Sequence, residues 1–154
     1  MTGVALELFF RFVLPSCESP KGIVDGDYLV RRFDAEYLSS GEFTYGRLCR
    51  AGGRWTINGA GWNSGFEYLE PDRRSQPLVA LLGDSYLEGF YTDTGDHIDA
   101  LLYRMYHGEV DFYTFAMSGA YLAQYVAMCR YIRDTFSPDA YVIFINSGDL
   151  EKSI

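Results

Sequence analysis

The stretch Pro77-Leu78-Val79-Ala80-Leu81-Leu82-Gly83 decides the fold class of this chain. Five consecutive apolar residues stand between a proline and a glycine. That pattern is typical of a strand buried on both faces, as in the interior of a parallel sheet. We therefore expect a buried strand at residues 78–82.

The residues after this strand alternate between helical and extended patterns. A first helix is marked by Ile98, Leu101, Leu102 and Met105, and Gly108 can close it. Strands are expected at 110–115 and, after Pro138, at 141–145. Between them lies a helix whose apolar face is formed by Leu122, Tyr125, Val126, Cys129 and Ile132. The order strand, helix, strand, helix, strand predicts an α/β fold with parallel pairing and right-handed crossovers.

The first 75 residues lack this alternation, and we interpret residues 1–75 as an elaboration on the front of the sheet. Residues 4–14 predict a short amphipathic helix that docks on the domain's own core, in preference to a membrane surface, because its polar face has no excess of Lys or Arg. Residues 15–41 are expected to be irregular. The segments around Ala51-Gly52-Gly53 predict a β-hairpin with the glycine pair in its turn.

Composition excludes several classes of function. The 154 residues carry 13 Lys and Arg against 21 Asp and Glu, and the net charge of −8 disfavours nucleic acid as a partner. The apolar N-terminal stretch is too short to span a bilayer and shows no signal-peptide pattern. The three cysteines are far apart, and no His/Cys/carboxylate cluster has the spacing of metal ligands, so neither a metal nor a cofactor is expected. The compartment stays open, with the cytoplasm as the default.

Small polar clusters follow each of the three expected parallel strands. They are Gly83-Asp84-Ser85, Ser118-Gly119 and Asn146-Ser147-Gly148-Asp149. Ligands of open parallel sheets bind beyond the carboxyl ends of the strands, so these clusters should face one crevice. A serine directly after a buried strand would present its hydroxyl there, beside its own backbone N–H. Ser85 is therefore a candidate nucleophile, and the alternative is a helix cap with only a structural role.

The residues at these strand ends resemble the first three motif blocks of the SGNH hydrolases, the GDSL-like esterase family. The first block is similar to Val79-Ala80-Leu81-Leu82-Gly83-Asp84-Ser85-Tyr86-Leu87-Glu88-Gly89, and the second to Ala116-Met117-Ser118-Gly119-Ala120 with Gln124-Tyr125. Residues 145–153 resemble the third motif block of the family. The segment Gly61-Trp62-Asn63-Ser64 resembles a signature of one of its subgroups. The blocks occur in the family's order and cover most of the chain.

The resemblance implies a three-layer, flavodoxin-like parallel sheet, with residues 76–154 as the first part of the hydrolase domain. It also implies a serine ester hydrolase in which Ser85 forms an acyl-enzyme. The backbone N–H groups of Ser85 and Gly119 would hold the oxyanion, while Asp84 would fix the loop by hydrogen bonding. Acylated carbohydrates or lipids are the implied substrates.

Two departures from the family pattern bear on activity. Gly148 precedes Asp149 where the family has the asparagine of the oxyanion hole, so Asn146 would need a shifted loop to take that role; the alternative is a loop hydrogen bond. The family's base is a histidine three residues after an aspartate, and the chain contains no Asp-x-x-His string. His97 and His107 fall at the ends of one expected helix, where solvated or dipole-related roles are more common than catalysis.

Three hypotheses follow from these departures. The first is an SGNH-type esterase or acyl-transfer enzyme truncated before its acid–base pair. The second is a non-catalytic binding module or pseudoenzyme that keeps the crevice. The third is an enzyme completed by a partner chain. The last expected strand could also lie exposed at the sheet edge, which would favour self-association.

Overall fold

The computed structural model describes residues 2–12, 17–45 and 51–151 of the chain. Strands are β1 (Gly22–Val24), β2 (Arg31–Phe33), β3 (Ser40–Tyr45), β4 (Ala51–Thr56), β5 (Leu78–Gly83), β6 (Asp111–Ala116) and β7 (Ala140–Ile143). Helices are α1 (Thr2–Phe12), α2 (Ser85–Glu88), α3 (Ile98–Met105), α4 (Leu122–Phe136) and α5 (Ser147–Glu151).

A three-stranded parallel sheet with the order β6-β5-β7 carries the second half of the chain. Strand β5 pairs with β6 from Leu78 opposite Asp111, and with β7 from Val79 opposite Ala140. This confirms the expected α/β class with parallel pairing. Because β5 has a neighbour on each side and a helical layer on each face, Leu78, Leu81 and Leu82 are buried, as the apolar run predicted.

The two faces of the sheet are covered by different elements. Helix α4 packs on the face that carries Leu78, Ala80 and Leu82, mainly through residues in its middle and at its end. On the other face, Leu81, Leu87, Phe112 and Ala116 form a smaller cluster, with Ile98 and Leu102 of α3 packed against it. The predicted apolar face of α4 was partly wrong, since Val126 is exposed and Met128, Tyr131 and Phe136 are buried instead.

The N-terminal half packs on the α4 side of the sheet through its aromatic residues. Trp55, Trp62 and Tyr68 belong to the same buried cluster as the sheet residues. The ring of Tyr68 stacks on Tyr113 of β6, with ring centroids 4.2 Å apart. Its hydroxyl donates to the Thr114 carbonyl and accepts from the Thr114 N–H, each at 2.8 Å. The Tyr68 side chain thus provides hydrogen-bond partners for the Thr114 N–H and carbonyl at the β6 edge of the sheet. Without it, these buried backbone groups would lack a partner.

Strands β3 and β4 form the predicted antiparallel hairpin, but the predicted turn was wrong. Gly52 and Gly53 lie within β4, opposite Thr44 and Phe43. The physical reason for the glycines is close approach, because a Cβ on Gly53 would collide with the backbone of Thr92. The connection at residues 46–50 lies outside the described residues.

Two further expectations for the N-terminal half were wrong. Residues 15–41 are not irregular throughout, since β1 and β2 pair antiparallel within them; three-residue strands are too short to show a period. The amphipathic helix is present as α1, but Leu6 and Phe9 of its predicted apolar face are exposed, so these residues do not dock on the core. The expected end of the helix at Pro15 lies outside the described residues.

Strand β7 differs from its neighbours in exposure. Its side chains and those just after it are exposed, among them Tyr141, Val142, Ile143, Phe144 and Ile145. Between β7 and α4 lies a largely apolar groove of about 920 Å³. In the described part of the chain, the expected exposed apolar strand at the sheet edge is therefore present.

Candidate active site

Ser85 lies at the turn that connects strand β5 to helix α2. Asp84 caps this helix with an extended backbone, and its carboxylate accepts a hydrogen bond from the Tyr86 N–H at 3.0 Å. Gly89 ends the helix in the left-handed region, with φ of 73°. The Asp84 cap and the left-handed Gly89 thus define the two ends of α2. Its first residue, Ser85, lies at the carboxyl end of β5.

Ser85 lines a cavity of about 330 Å³ beyond that end of the sheet. The polar side chains at the cavity include Ser19, Arg31, Ser85, Glu88 and Ser118. Its apolar wall is formed mainly by aromatic residues and a methionine, namely Phe33, Phe43, Phe90, Tyr91 and Met117. Much of this wall comes from β2 and β3, so the N-terminal elaboration helps to shape the crevice that the sequence placed at the strand ends.

Gly119 follows β6 in a turn closed by a hydrogen bond from the Ala120 N–H to the Met117 carbonyl at 3.0 Å. Its φ of 77° lies in the left-handed region that favours glycine. A second bond, from the Met117 N–H to the Gly83 carbonyl at 3.3 Å, ties this turn to the end of β5. Among the described residues, the N–H groups of Ser85 and Gly119 donate no hydrogen bond.

A polar network connects the loops after β5 and β7. The Asn146 amide donates to the Asp84 carboxylate at 2.6 Å, and its oxygen accepts from the Gly148 N–H at 2.7 Å. Asp149 is buried and accepts from the Asn146 N–H at 3.0 Å and the Tyr125 hydroxyl at 3.1 Å. The Asp84 carboxylate thus connects the loop after β5 to the loop after β7, and Asn146 makes loop hydrogen bonds.

Glu88 is the polar residue at the cavity that sequence reasoning missed. It is only 2% exposed, and one carboxylate oxygen, Oε2, accepts from both the N–H and the hydroxyl of Ser118. The other oxygen, Oε1, is buried without a hydrogen-bond partner among the described residues. Burial raises the pKa of Glu88 to about 7, against the opposing effect of the Ser118 hydrogen bonds and Arg31.

The spacing of Glu88 from Ser85 is the one signal in the sequence that relates the two residues. Residues three apart on a helix lie on the same face, so Ser85 and Glu88 should face the same side of α2. A glutamate in a short polar segment is ordinarily solvated, so the spacing did not distinguish Glu88 from a surface residue.

The loop Gly61-Trp62-Asn63-Ser64 holds the end of α2 through a hydrogen bond to the Glu88 backbone. The Asn63 amide donates to the Glu88 carbonyl at 2.8 Å, while its oxygen accepts from the Thr56 N–H at 3.1 Å. The Ser64 hydroxyl donates to the Asp99 carboxylate at 2.9 Å, and both residues are buried. This loop therefore links β4, α2 and α3, which agrees with the structural role that its glycines favoured.

The two histidines of the chain are not among the residues that line the cavity. His97 is not solvated as expected: it is 4% exposed, and its Nε2 lies 3.0 Å from the Gly89 carbonyl and 3.2 Å from that of Thr92. Two carbonyl partners require that nitrogen to carry the proton. His107 is exposed after the end of α3, with φ of 53°. Neither ring lines the cavity beside Ser85.

Comparisons of the chain with protein-family models, with curated proteins and with solved structures found no match. Within the described ranges, none of the helices combines the length and the apolar character needed to cross a bilayer.

Proposed function

We propose that this chain is a serine ester hydrolase of the SGNH type, in which Ser85 attacks the carbonyl carbon of an acyl ester. The observation that carries the proposal is the position of Ser85. It follows the central strand directly, begins a short helix and lines a cavity of about 330 Å³ with Ser118 and Glu88. Attack would form an acyl-enzyme and release the alcohol, and water would then release the acid.

The arrangement of the sheet supports this fold family. In chain order, the three parallel strands are arranged second, first, third. Flavodoxin-like doubly wound sheets begin with the same order, and their ligands bind in the crevice outside the carboxyl ends of the strands. The cavity lies in that crevice, and helices cover both faces of the sheet, as a three-layer fold requires.

Two backbone groups are suited to stabilise the oxyanion. The N–H groups of Ser85 and Gly119 stand on neighbouring strand-end loops that are tied together by the bond between Met117 and Gly83. Each oxyanion donor of this kind contributes about 3 kcal/mol to transition-state stabilisation. Because the Asn146 amide is directed to Asp84, we propose two backbone donors and leave Asn146 the role of fixing the loop.

The size of the cavity favours a small substrate. Its volume is at the lower end of the range of about 300–1,000 Å³ that is usual for ligand sites. The aromatic wall suits a short acyl chain or a sugar ring. We propose an acylated carbohydrate or lipid as substrate, and comparing turnover of an acetylated sugar with that of a short-chain glyceride distinguishes the two.

The first test is reaction with p-nitrophenyl acetate and with a fluorophosphonate probe. Wild-type protein should hydrolyse the ester and take up the probe, and Ser85→Ala should do neither. The matched control is Ser75→Ala, which removes an exposed hydroxyl far from the cavity and should behave as wild type. Activity that is unchanged in Ser85→Ala would refute the assignment of the nucleophile.

A non-catalytic binding module is the second candidate function. The observation in its favour is that neither histidine of the chain lines the cavity. This candidate predicts that an ester ligand binds, as measured by calorimetry, without turnover and without labelling of Ser85.

We also propose that the exposed strand β7 mediates self-association. Its apolar side chains lie uncovered beside the groove against α4, and an unpaired apolar edge is a template for pairing with another chain. A second copy that adds its own β7 would extend the sheet. Sedimentation velocity at several protein concentrations tests this proposal.

A further inference from the structure

We propose that Glu88 is a catalytic residue that accepts the proton of the Ser85 hydroxyl through its Oε1 atom. The inference rests on the proposed function, because it needs Ser85 to be the nucleophile. It goes further by assigning the proton acceptor to a residue of this chain, within the cavity that Ser85 already lines.

The first support is placement. Ser85 and Glu88 are the first and last residues of α2, and both line the same cavity. Residues three apart on a helix have Cβ atoms about 5–6 Å apart. A glutamate side chain extends two carbons beyond its Cβ, so rotation of its carboxylate can bring it towards the serine hydroxyl. In this structure Oε1 is closed to solvent and makes no hydrogen bond to Ser85, so the proposed transfer requires that rotation when substrate binds, as catalytic hydrogen bonds often tighten only in the complex.

The second support is the way in which the carboxylate is held. Ser118 donates its N–H and its hydroxyl to Oε2, and Asn63 holds the Glu88 backbone through the carbonyl. Oε1 is left buried and without a hydrogen-bond partner among the described residues. A buried carboxylate oxygen without a partner is costly, so its occurrence at a cavity points to a group that it meets there.

The third support is electrostatic. Burial raises the pKa of Glu88 to about 7, and the nearby charges act in opposite directions: Arg31 of β2 lowers the pKa, while Asp84 before α2 raises it. Tyr91 is a further titratable group on the cavity wall. A general base works best when its pKa lies near the working pH, so this environment suits the task.

The reaction balances with the groups that are present. The Ser85 hydroxyl proton passes to Glu88 as its oxygen bonds to the acyl carbon. The bond from that carbon to the alcohol oxygen then breaks, and the leaving alkoxide takes the proton from Glu88. In the second half, Glu88 takes a proton from water, whose oxygen attacks the acyl-enzyme, and returns it to Ser85. Ester and water become acid and alcohol with no other reactant.

The test measures the rate of fluorophosphonate labelling of Ser85 as a function of pH. In the wild type, the rate should rise with a midpoint near 7. Glu88→Gln keeps the shape of the side chain but cannot accept the proton, so labelling should slow by about 100-fold or more and lose this pH dependence.

A second variant keeps the proposal testable if Glu88→Gln does not fold. Ser118→Ala removes a hydrogen bond that favours the ionised carboxylate, so the midpoint should move upward by roughly one pH unit. Circular dichroism melts of both variants confirm that they are folded. Labelling of Glu88→Gln at the wild-type rate, or a midpoint unmoved in Ser118→Ala, would overturn the role of Glu88 and leave Ser85 as nucleophile. No labelling of the wild type at any pH would instead refute the proposed function itself.

Discussion

Replacing Glu88 with glutamine should stabilise the protein in alkaline solution, even though the residue is buried. The carboxyl group has a pKa of about 7 in the folded protein, against an ordinary value of 4.5, because burial disfavours its charged form. The folded state therefore binds this proton more tightly than the unfolded state. The resulting stabilisation is complete at low pH and is lost as the pH rises through about 7.

The magnitude follows from the gap between the two pKa values. At about 1.4 kcal/mol for each pKa unit, the whole effect amounts to about 3 kcal/mol. About 2 kcal/mol of it should be lost between about pH 5.5 and about pH 8. A glutamine has no such loss, because it stays neutral, and its oxygen can still accept from Ser118.

The assay is urea unfolding of the wild type and Glu88→Gln at both pH values. The free energy of unfolding of the variant relative to that of the wild type should rise by about 2 kcal/mol from about pH 5.5 to about pH 8, because the neutral glutamine does not share the loss. Comparing the two proteins at each pH cancels the other carboxyl groups that titrate. A difference that is the same at both pH values, or one that favours the wild type more at pH 8 than at pH 5.5, would show that burial does not raise the pKa of Glu88.

Three other predictions concern the fold, the oxyanion donor and the sheet edge. Tyr68→Phe leaves the Thr114 N–H and carbonyl without their hydroxyl partner and should lower the free energy of unfolding by about 1–3 kcal/mol in urea titration. Gly119→Ala places a Cβ in the left-handed region, which should cost about 1 kcal/mol and slow fluorophosphonate labelling by roughly tenfold or more; an unchanged rate would argue against this donor. Ile143→Lys introduces a charge at the exposed strand and should reduce association in sedimentation velocity, while Val24→Lys, an equally drastic change on β1, should not.

The parallel sheet could be predicted from the sequence because a strand that is buried on both faces has a simple, recognisable pattern of residues. A strand between two neighbours and two helical layers has no polar face, so residues 78–82 appear as an unbroken apolar run. The polar residues just after each strand were predictable for the same reason, since the topology brings the carboxyl ends of parallel strands to one edge.

Features that depend on tertiary contact were not predictable. The glycine pair at Gly52 and Gly53 suggested a turn, but it serves the close approach of Thr92, which no local pattern encodes. His97 occupies the end of a helix and would be solvated there if Gly89 and Thr92 did not present their carbonyls. Glu88 resembles a surface residue until the cavity and Ser118 are placed around it.

The most direct test of the account is peptide mapping by mass spectrometry after reaction with the fluorophosphonate probe. Three serines, Ser19, Ser85 and Ser118, line the cavity, and only Ser85 is proposed to be the nucleophile. We expect a single adduct on Ser85. An adduct on Ser19 or Ser118, or none on any of the three serines, would contradict the assignment of Ser85 as the nucleophile.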